Sequence, residues 1–517
     1  MSAVDGTSSD SPLPESPLTG GWLWLAAVVL AAGNFVAILD MTIANVSVST
    51  IAGGLGASTS QGTWVITSYS VAEAITVPLT GWLVARFGAV RVFVVAMAMF
   101  GLCSALCGLA NSLGMLVLAR VAQGLVGGPL MPMSQTLLLR IFPKEKAAAA
   151  MGLWAVTTLV APVFGPILGG VICDDMSWPW IFMINVPLAL ACAIFAWRLL
   201  ARYRDVLVRA PIDVVGLGLL VVWVAALQIM LDEGKDLEWF ASWEIRALAV
   251  TAVVGFVAFL IWESTEAHPA VDLRVFRHRG FTMGTLTLVL TFGGIFAVNV
   301  TTPLWLQTYM GYTATWSGRT LAWSGVSAII VAPIAATLST KFDPRALVFC
   351  GVSWIAGTTL FRTFADTDMT YWHIALPILA LGFGMPMFFV PLTGFVLGSV
   401  EEAETASAAG LMNFLRTLAG AVATSMVNTA WEDGIKSARA DLVAIADRTG
   451  ETFASYVQTF GTSDMARAAL ERLIEPQAAM LATNRMLSII AGVVALAALS
   501  VWLAPRPTRQ ADISQAH

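Results

Sequence analysis

Gly33-Asn34-Phe35-Val36-Ala37-Ile38-Leu39-Asp40-Met41-Thr42-Ile43-Ala44-Asn45-Val46 sets one carboxylate inside an apolar block, residues 22–47, that carries no other charge. A block of this length matches a bilayer core about 30 Å thick, which takes about 20 helical residues to cross. An ionisable group at that depth costs at least ~2.5–3.5 kcal/mol on insertion scales, so it is kept where it is buried against a partner or lines a water path. On a helix Asp40 shares its face with Gly33, Ala37 and Ala44, residues small enough to let a neighbouring helix approach closely. This stretch therefore points to lipid as the solvent and to a polar interior.

The pattern repeats along the chain. Apolar blocks run approximately over residues 22–47, 61–83, 92–110, 115–140, 151–172, 180–201, 212–231, 244–262, 282–306, 317–340, 346–364, 371–399, 405–430 and 484–504. They predict fourteen membrane-spanning helices, an all-α membrane protein, with both termini on the same side. Of the 517 residues 57% are hydrophobic and 12% charged, and most charges lie in the breaks between blocks, unlike a soluble chain that spreads charge over its surface. The first 20 residues are rich in Ser and Pro without a basic segment, which reads as a disordered cytosolic tail and not a cleavable signal.

Orientation follows from Lys and Arg, which are retained on the cytoplasmic side. With the N-terminus inside, the cytoplasmic breaks hold sixteen: Arg86, Arg91, Arg140, Lys144, Lys146, Arg198, Arg202, Arg204, Arg209, Arg274, Arg277, Arg279, Lys341, Arg345, Arg506 and Arg509. The short breaks on the opposite side, with the helix ends that face them, hold only three, Lys235, Arg246 and Arg362. The exception to short loops is the polar segment 431–483 on the outer side, where Ile435, Leu442, Ile445, Met465, Leu470 and Leu473 are spaced as on short amphipathic helices. Such helices fit two arrangements, packing on the membrane-embedded helices or on a partner, and a solvated lid.

Several classes are excluded. The formal net charge of −5 does not suit nucleic-acid binding. The cysteines Cys103, Cys107, Cys173, Cys192 and Cys350 form no CxxC pair and have no histidine at ligand spacing, so they read as small apolar packing residues and no metal site is expected. The histidines, His268, His278, His373 and His517, lie at or beyond block ends, and no Gly-rich loop precedes a Lys-Ser/Thr pair. Neither an embedded enzyme nor an ATP-driven pump finds its machinery here.

Beside Asp40, the blocks retain Glu73, Arg120 and Arg416, while Arg319 lies near a block end where it can snorkel. Glu73 belongs to a stripe with Tyr69, Thr76 and Thr80 that makes one helix side polar and implies a wetted cavity. For Asp40 and Glu73 two readings stand: a proton-carrying group, since burial disfavours the charged form of a carboxyl and a nearby arginine favours it, or a static ion pair that holds helices together. Arg120, Gly124 and Gly127 share one face in the fourth block. In the fifth, Ala161, Gly165 and Gly169 make a small-residue ridge beside Pro162 and Pro166, each of which removes a backbone hydrogen bond, so this helix can pack tightly and bend.

With these motifs in view, the chain resembles, over essentially its whole length, the EmrB-type fourteen-helix drug:proton antiporters (the EmrB/QacA family) of the major facilitator superfamily. Leu39 to Val46 resembles the family's first-helix motif. Gly81-Trp82-Leu83-Val84-Ala85-Arg86-Phe87-Gly88-Ala89-Val90-Arg91 resembles the superfamily's loop between helices 2 and 3, and Arg120 to Gly124 its helix-4 motif. Ala161 to Gly170, with Gly165, Pro166, Gly169 and Gly170, resembles the antiporter motif. Trp178 to Pro187, Ile212 to Gly216 and Asn413 to Gly420 agree as well. The chain departs from the motifs at Ala85, where an acidic residue is usual, at Ala161 in place of glycine, and at Ser49 in place of proline.

The resemblance implies two six-helix bundles, over 22–205 and 281–505, with an inserted helix pair at 206–265, a cytosolic linker at 266–280 and cytosolic tails at 1–21 and 506–517. It implies alternating access about a midplane cavity, proton coupling through Asp40, Glu73, Arg120 and Arg416, and conformational roles for Gly81, Arg86, Gly88, Arg91, Gly124 and the antiporter motif. It implies export of amphipathic drug-like compounds across the bacterial inner membrane, driven by protons without a cofactor. The implied partners are a periplasmic membrane-fusion adaptor (EmrA-like) and an outer-membrane channel (TolC-like). Trp64, Trp154, Phe296, Trp305, Met385 and Phe388 are candidates for the substrate wall, with ordinary packing as the alternative for each. Export of one specific metabolite or siderophore, and a non-transporting sensor, are the competing functions.

Overall fold

A computed structural model describes residues 18–505 except 58, 63, 144–145, 204–206, 208–212, 268, 402–403, 449–454, 456–457 and 460–462. Residues 1–17 and 506–517, with Lys144, Arg204, Arg209, His268, Arg506, Arg509 and His517, lie outside the described residues, as do the side chains of Ser49, Pro166 and Ile445. The first half of the chain forms α1 (Gly20–Val46), α2 (Val48–Gly54), α3 (Thr59–Gly62), α4 (Trp64–Thr76), α5 (Thr80–Phe87), α6 (Ala89–Gly108), α7 (Leu113–Gly127), α8 (Leu130–Ile141), α9 (Ala147–Asp175), α10 (Trp180–Met183) and α11 (Asn185–Leu200). An intervening pair, α12 (Val214–Glu233) and α13 (Trp243–Thr265), leads to α14 (Arg279–Thr308), α15 (Ala314–Lys341), α16 (Pro344–Phe361), α17 (Tyr371–Gly398), α18 (Thr405–Arg448) and α19 (Ser463–Ser500).

Eleven helical stretches among the described residues are long and apolar enough to cross a membrane, and α9, bent by 41° between Ala149–Pro162 and Ile167–Cys173, makes a twelfth. The bend falls in the proline-bearing stretch, as its missing hydrogen bonds require. Two of the fourteen expected blocks are helical but differ. Block 61–83 divides at Val77-Pro78-Leu79 into α4 and α5, neither of which is long enough alone, and block 405–430 lies within α18, where Asn413, Arg416 and a run of small and hydroxyl residues dilute the apolar character.

Segment 431–483 departs from the expected short amphipathic helices. α18 runs unbroken for 44 residues and α19 for 38; at ~1.5 Å per residue these are about 66 and 57 Å, well beyond a ~30 Å bilayer core. Their far portions therefore project as a hairpin. Ala is the commonest residue of the segment and, with its Leu, Glu and Arg, favours continuing a helix already nucleated in the membrane. Trp431 Nε1 donates to Thr483 Oγ1 at 2.9 Å, and Arg439 pairs with Glu471. The periodicity was that of two long helices, with Ile435 turned inward and Met465 and Leu473 exposed.

α1 packs on α9 and α11, and α4 on α7; in the other half α14 packs on α18 and α19, and α16 on α17. The halves meet where α15 and α17 pack on α9 and where α18 packs on α5 and α8. α12 packs on both α4 and α18. Its start is capped by Asp213, which accepts from Gly216 N at 2.8 Å and Trp262 Nε1 at 3.0 Å. Its far end holds both halves: Asp232 lies beside Thr67 of α4, Ser425 Oγ of α18 donates to Leu231 O at 2.7 Å, and Lys235 pairs with Glu432 at 2.5 Å.

Candidate functional site

Asp40 of α1 and Arg120 of α7 are fully buried and joined by an Nη1 to Oδ2 hydrogen bond of 2.6 Å. The guanidinium is held through Nη1, Nε and its face, while Nη2 has no hydrogen-bond partner among the described residues. Nη1 also donates to Gln123 Oε1 at 2.9 Å, Nε donates to Val65 O at 3.0 Å, and the plane lies 4.1 Å from the centre of the Tyr69 ring. Asp40 Oδ1 accepts from Gln123 Nε2 at 3.0 Å and from Asn185 Nδ2 at 2.7 Å. Three donors on a carboxylate and a fork-shaped cation are what a charge in low dielectric needs to offset its desolvation.

Glycines bring these helices close enough to assemble it. A Cβ on Gly124 would meet the Tyr69 carbonyl and fall 3.1 Å from Glu73 N, so α7 lies directly on the backbone of α4. One on Gly165 would fall 2.9 Å from the Thr42 carbonyl carbon, and one on Gly169 3.1 Å from Ile43 O, so the small-residue ridge of α9 is the seat of α1. Gly170 has nothing within 4 Å and takes no part in this contact. At one end of the molecule a Cβ on Gly81 would come 2.9 Å from Ser407 Cα, and one on Gly410 2.9 Å from Val77 O, which closes the two halves against each other there. Gly88, at φ +86° between α5 and α6, occupies the left-handed region that glycine favours. Arg86 ends α5, and Arg91 is exposed in the first turn of α6.

The match to known proteins agrees with this architecture. Residues 30–424 fit the family model of the Major Facilitator Superfamily. The chain is 42% identical to the multidrug export protein EmrB of Haemophilus influenzae, across 95% of this chain and 97% of that protein. The chain is an EmrB-type member of the major facilitator superfamily. The transporter is also 41% identical to the fatty acid resistance protein FarB of Neisseria gonorrhoeae, across 95% of this chain and 98% of that one. A solved structure of the proton:xylose symporter XylE is similar in fold, with a TM-score of 0.59 at 13% identity, covering 94% of this chain and 96% of that one.

Of Asp40, Glu73, Arg120 and Arg416, only Asp40 and Arg120 form an ion pair among the described residues. Tyr69, Glu73 and Thr76 of the stripe pack against Gly124, Gly127 and the following Gly128, Thr80 lies against Gly410 of α18, and the stripe is largely buried, where a wetted face was expected. Periodicity identifies a face but not what covers it. Glu73 is 8% exposed and its Oε2 has no hydrogen-bond partner among the described residues. Arg416 of α18, 4% exposed, lies 5.2 Å from the Phe292 ring centre and 5.9 Å from that of Phe389, with Nη2 on Met131 Sδ and with Nε and Nη1 unpartnered among the described residues. Its field acts on Glu73 without a direct bond.

Trp154 of α9 donates to Ser134 Oγ at 2.9 Å and stacks on Phe389 of α17 at 5.5 Å, so this ring joins the halves of the transporter. Phe388 lies 5.8 Å from Phe292 in the same aromatic group beside Arg416. Trp305 and Met385 are buried, Phe296 packs on Gly420, and Trp64 is 38% exposed at the start of α4. Phe292 and Phe389 were missed because aromatic content alone distinguishes no ring. Gln123 and Asn185 fall within the Arg120 to Gly124 and Trp178 to Pro187 motifs, where nothing in the sequence marks them for a role. His278, Glu401 and Glu404 cluster at the start of α18, where Arg277 already bonds both glutamates at 2.9 and 2.8 Å.

Proposed function

We propose that this transporter is a proton-coupled multidrug antiporter that exports amphipathic toxic compounds across the bacterial inner membrane, with both termini cytoplasmic. The observation that carries the reading is Asp40, a fully buried carboxylate whose oxygens all bind donors from other helices. Such a group releases or takes a proton when rearrangement of those helices changes its donors. The glycine seam at Gly81 and Ser407 can break and re-form because only backbone and a small side chain meet there. Protons entering from outside neutralise Asp40, Glu73 or both. Drug and proton then compete for the charged state, with ~2.3 kcal/mol available per charge per 100 mV. The aromatic group of Trp154, Phe292, Phe388 and Phe389 around Arg416 offers an adaptable wall for apolar substrates.

The relatives named as multidrug export proteins support the substrate class. The projecting hairpin of α18 and α19 is the natural contact for an EmrA-like periplasmic adaptor feeding a TolC-like channel. Everted vesicles from cells expressing Asp40→Asn are expected to lose both drug uptake and drug-induced proton release. Wild-type rates of both in that variant would overturn the reading. Co-purification of an adaptor with the full chain, and its loss when the hairpin is shortened, checks the assembly.

A further inference from the structure

Asn185 opens α11 and is fully buried. Its Nδ2 gives Asp40 Oδ1 the shorter of the two hydrogen bonds on that oxygen, 2.7 Å against 3.0 Å from Gln123. A carboxylate only accepts, so the nitrogen end must face it. The other end, Asn185 Oδ1, is buried and has no donor among the described residues. The nearby Ser104 hydroxyl is committed to Phe182 O at 2.8 Å and stands 3.5 Å from Nδ2. An unused acceptor therefore lies half a turn of χ2 away from the oxygen that a proton would reach, and that torsion is broad for asparagine.

No other neighbour can do the same. Arg120 is a donor only. Gln123 is fixed at both ends, since its Oε1 accepts from Arg120 Nη1 at 2.9 Å and from Cys107 Sγ at 3.4 Å; turning it over would set its NH2 against the guanidinium. The titratable and charged groups around the site are Arg120 of α7, Tyr69 and Glu73 of α4 and Cys107 of α6, and the direct bond leaves none of them between Asn185 and Asp40.

We propose that Asn185 is a positioning residue for proton uptake at Asp40, its amide donating to the carboxylate and, turned over, accepting from the carboxylic acid. The inference rests on the reading of Asp40 as the proton carrier. A proton delivered by hydronium, which leaves as water, bonds to the lone pair of Asp40 Oδ1 that had accepted from Nδ2, and that hydrogen bond breaks. The amide rotates and its Oδ1 accepts the new O–H, while Arg120 stays on Oδ2 and Gln123 on the remaining lone pair of Asp40 Oδ1. Nothing is oxidised or reduced, and release of the proton to water reverses each step. Without the rotation a buried O–H would point at an N–H, leaving two donors unsatisfied.

Infrared difference spectra of the purified full-length protein, recorded between acid and alkaline pH, test this. A carboxyl carbonyl band that titrates in wild type and vanishes in Asp40→Asn belongs to Asp40. It is expected to appear together with a shift in an asparagine side-chain carbonyl band, identified by isotope-labelled asparagine and lost in Asn185→Leu. In Asn185→Leu the Asp40 band should move to the higher frequency of an acid without an acceptor, and in Asn185→Ser, whose hydroxyl can donate or accept, it should return part of the way. An unmoved Asp40 band in Asn185→Leu, or no asparagine shift in wild type, would reduce Asn185 to a static donor. Where Asn185→Leu does not fold, loss of the labelled asparagine shift in Asn185→Ser makes the same assignment. Absence of any titrating Asp40 band in wild type would sink the proton-carrier reading itself, a different result.

Discussion

Arg120 reaches three acceptors at once, Asp40, Gln123 and the Val65 carbonyl. Only a planar fork with several fixed N–H groups can do so, which makes Arg120→Lys a severe change despite the kept charge. A single ammonium can hold Asp40 but leaves at least one buried acceptor bare, at ~1–3 kcal/mol. We expect drug-driven proton release to fall by at least about tenfold, equivalent to 1.4 kcal/mol, while the protein still reaches the membrane. Normal release would make Arg120 a structural residue. Asp40→Ala, which strands the arginine, should cost more, roughly 3–5 kcal/mol of stability, read as lower yield and earlier thermal unfolding in detergent. At this scale the sequence was legible where charge was at stake. Asp40 and Arg120 stand out because lipid penalises them, but Gln123 and Asn185 carry no such penalty and show their roles only in three dimensions.

Small residues do at the scale of helices what the ion pair does at its centre. Gly165 sits against Thr42 so closely that Gly165→Val should separate α9 from α1, at about 1–3 kcal/mol for overpacking, and should destabilise the Asp40 site without touching it. Lower thermal stability, partly recovered by pairing with Thr42→Ala, checks the contact. Gly81→Ala acts on a seam that must open during transport. The same ~1–3 kcal/mol there biases the molecule away from the state with this end closed, by roughly 5- to 150-fold. Cysteine accessibility at this end should rise while overall stability changes little. The ridge at Ala161, Gly165 and Gly169 could be read from spacing alone. What the Glu73 stripe meets could not, nor could the length of α18 and α19, since a polar stretch of good helix formers continues a helix as readily as it ends one.

For the whole molecule, the halves meet along α9 with α15 and α17, at α5 and α8 with α18, and through α12, which lies across α4 and α18. Two bundles and an inserted pair followed from block count and resemblance, but no pattern in the chain says where an inserted pair docks. Tying α12 to both halves by disulfides, Thr67→Cys with Asp232→Cys and Leu231→Cys with Ser425→Cys in a cysteine-free background, should halt transport until a reductant is added. Either tie alone should leave substantial rates, and full activity with both formed would show that the halves do not move apart at this face. A bound volume opens only away from its spine. While α12 keeps its hold on both covers, a hydrophobic molecule that slips in sideways from the lipid is expected at the fore-edge between α9 and α15, where Gly152 meets Ala336 and Gly318 meets Ile167.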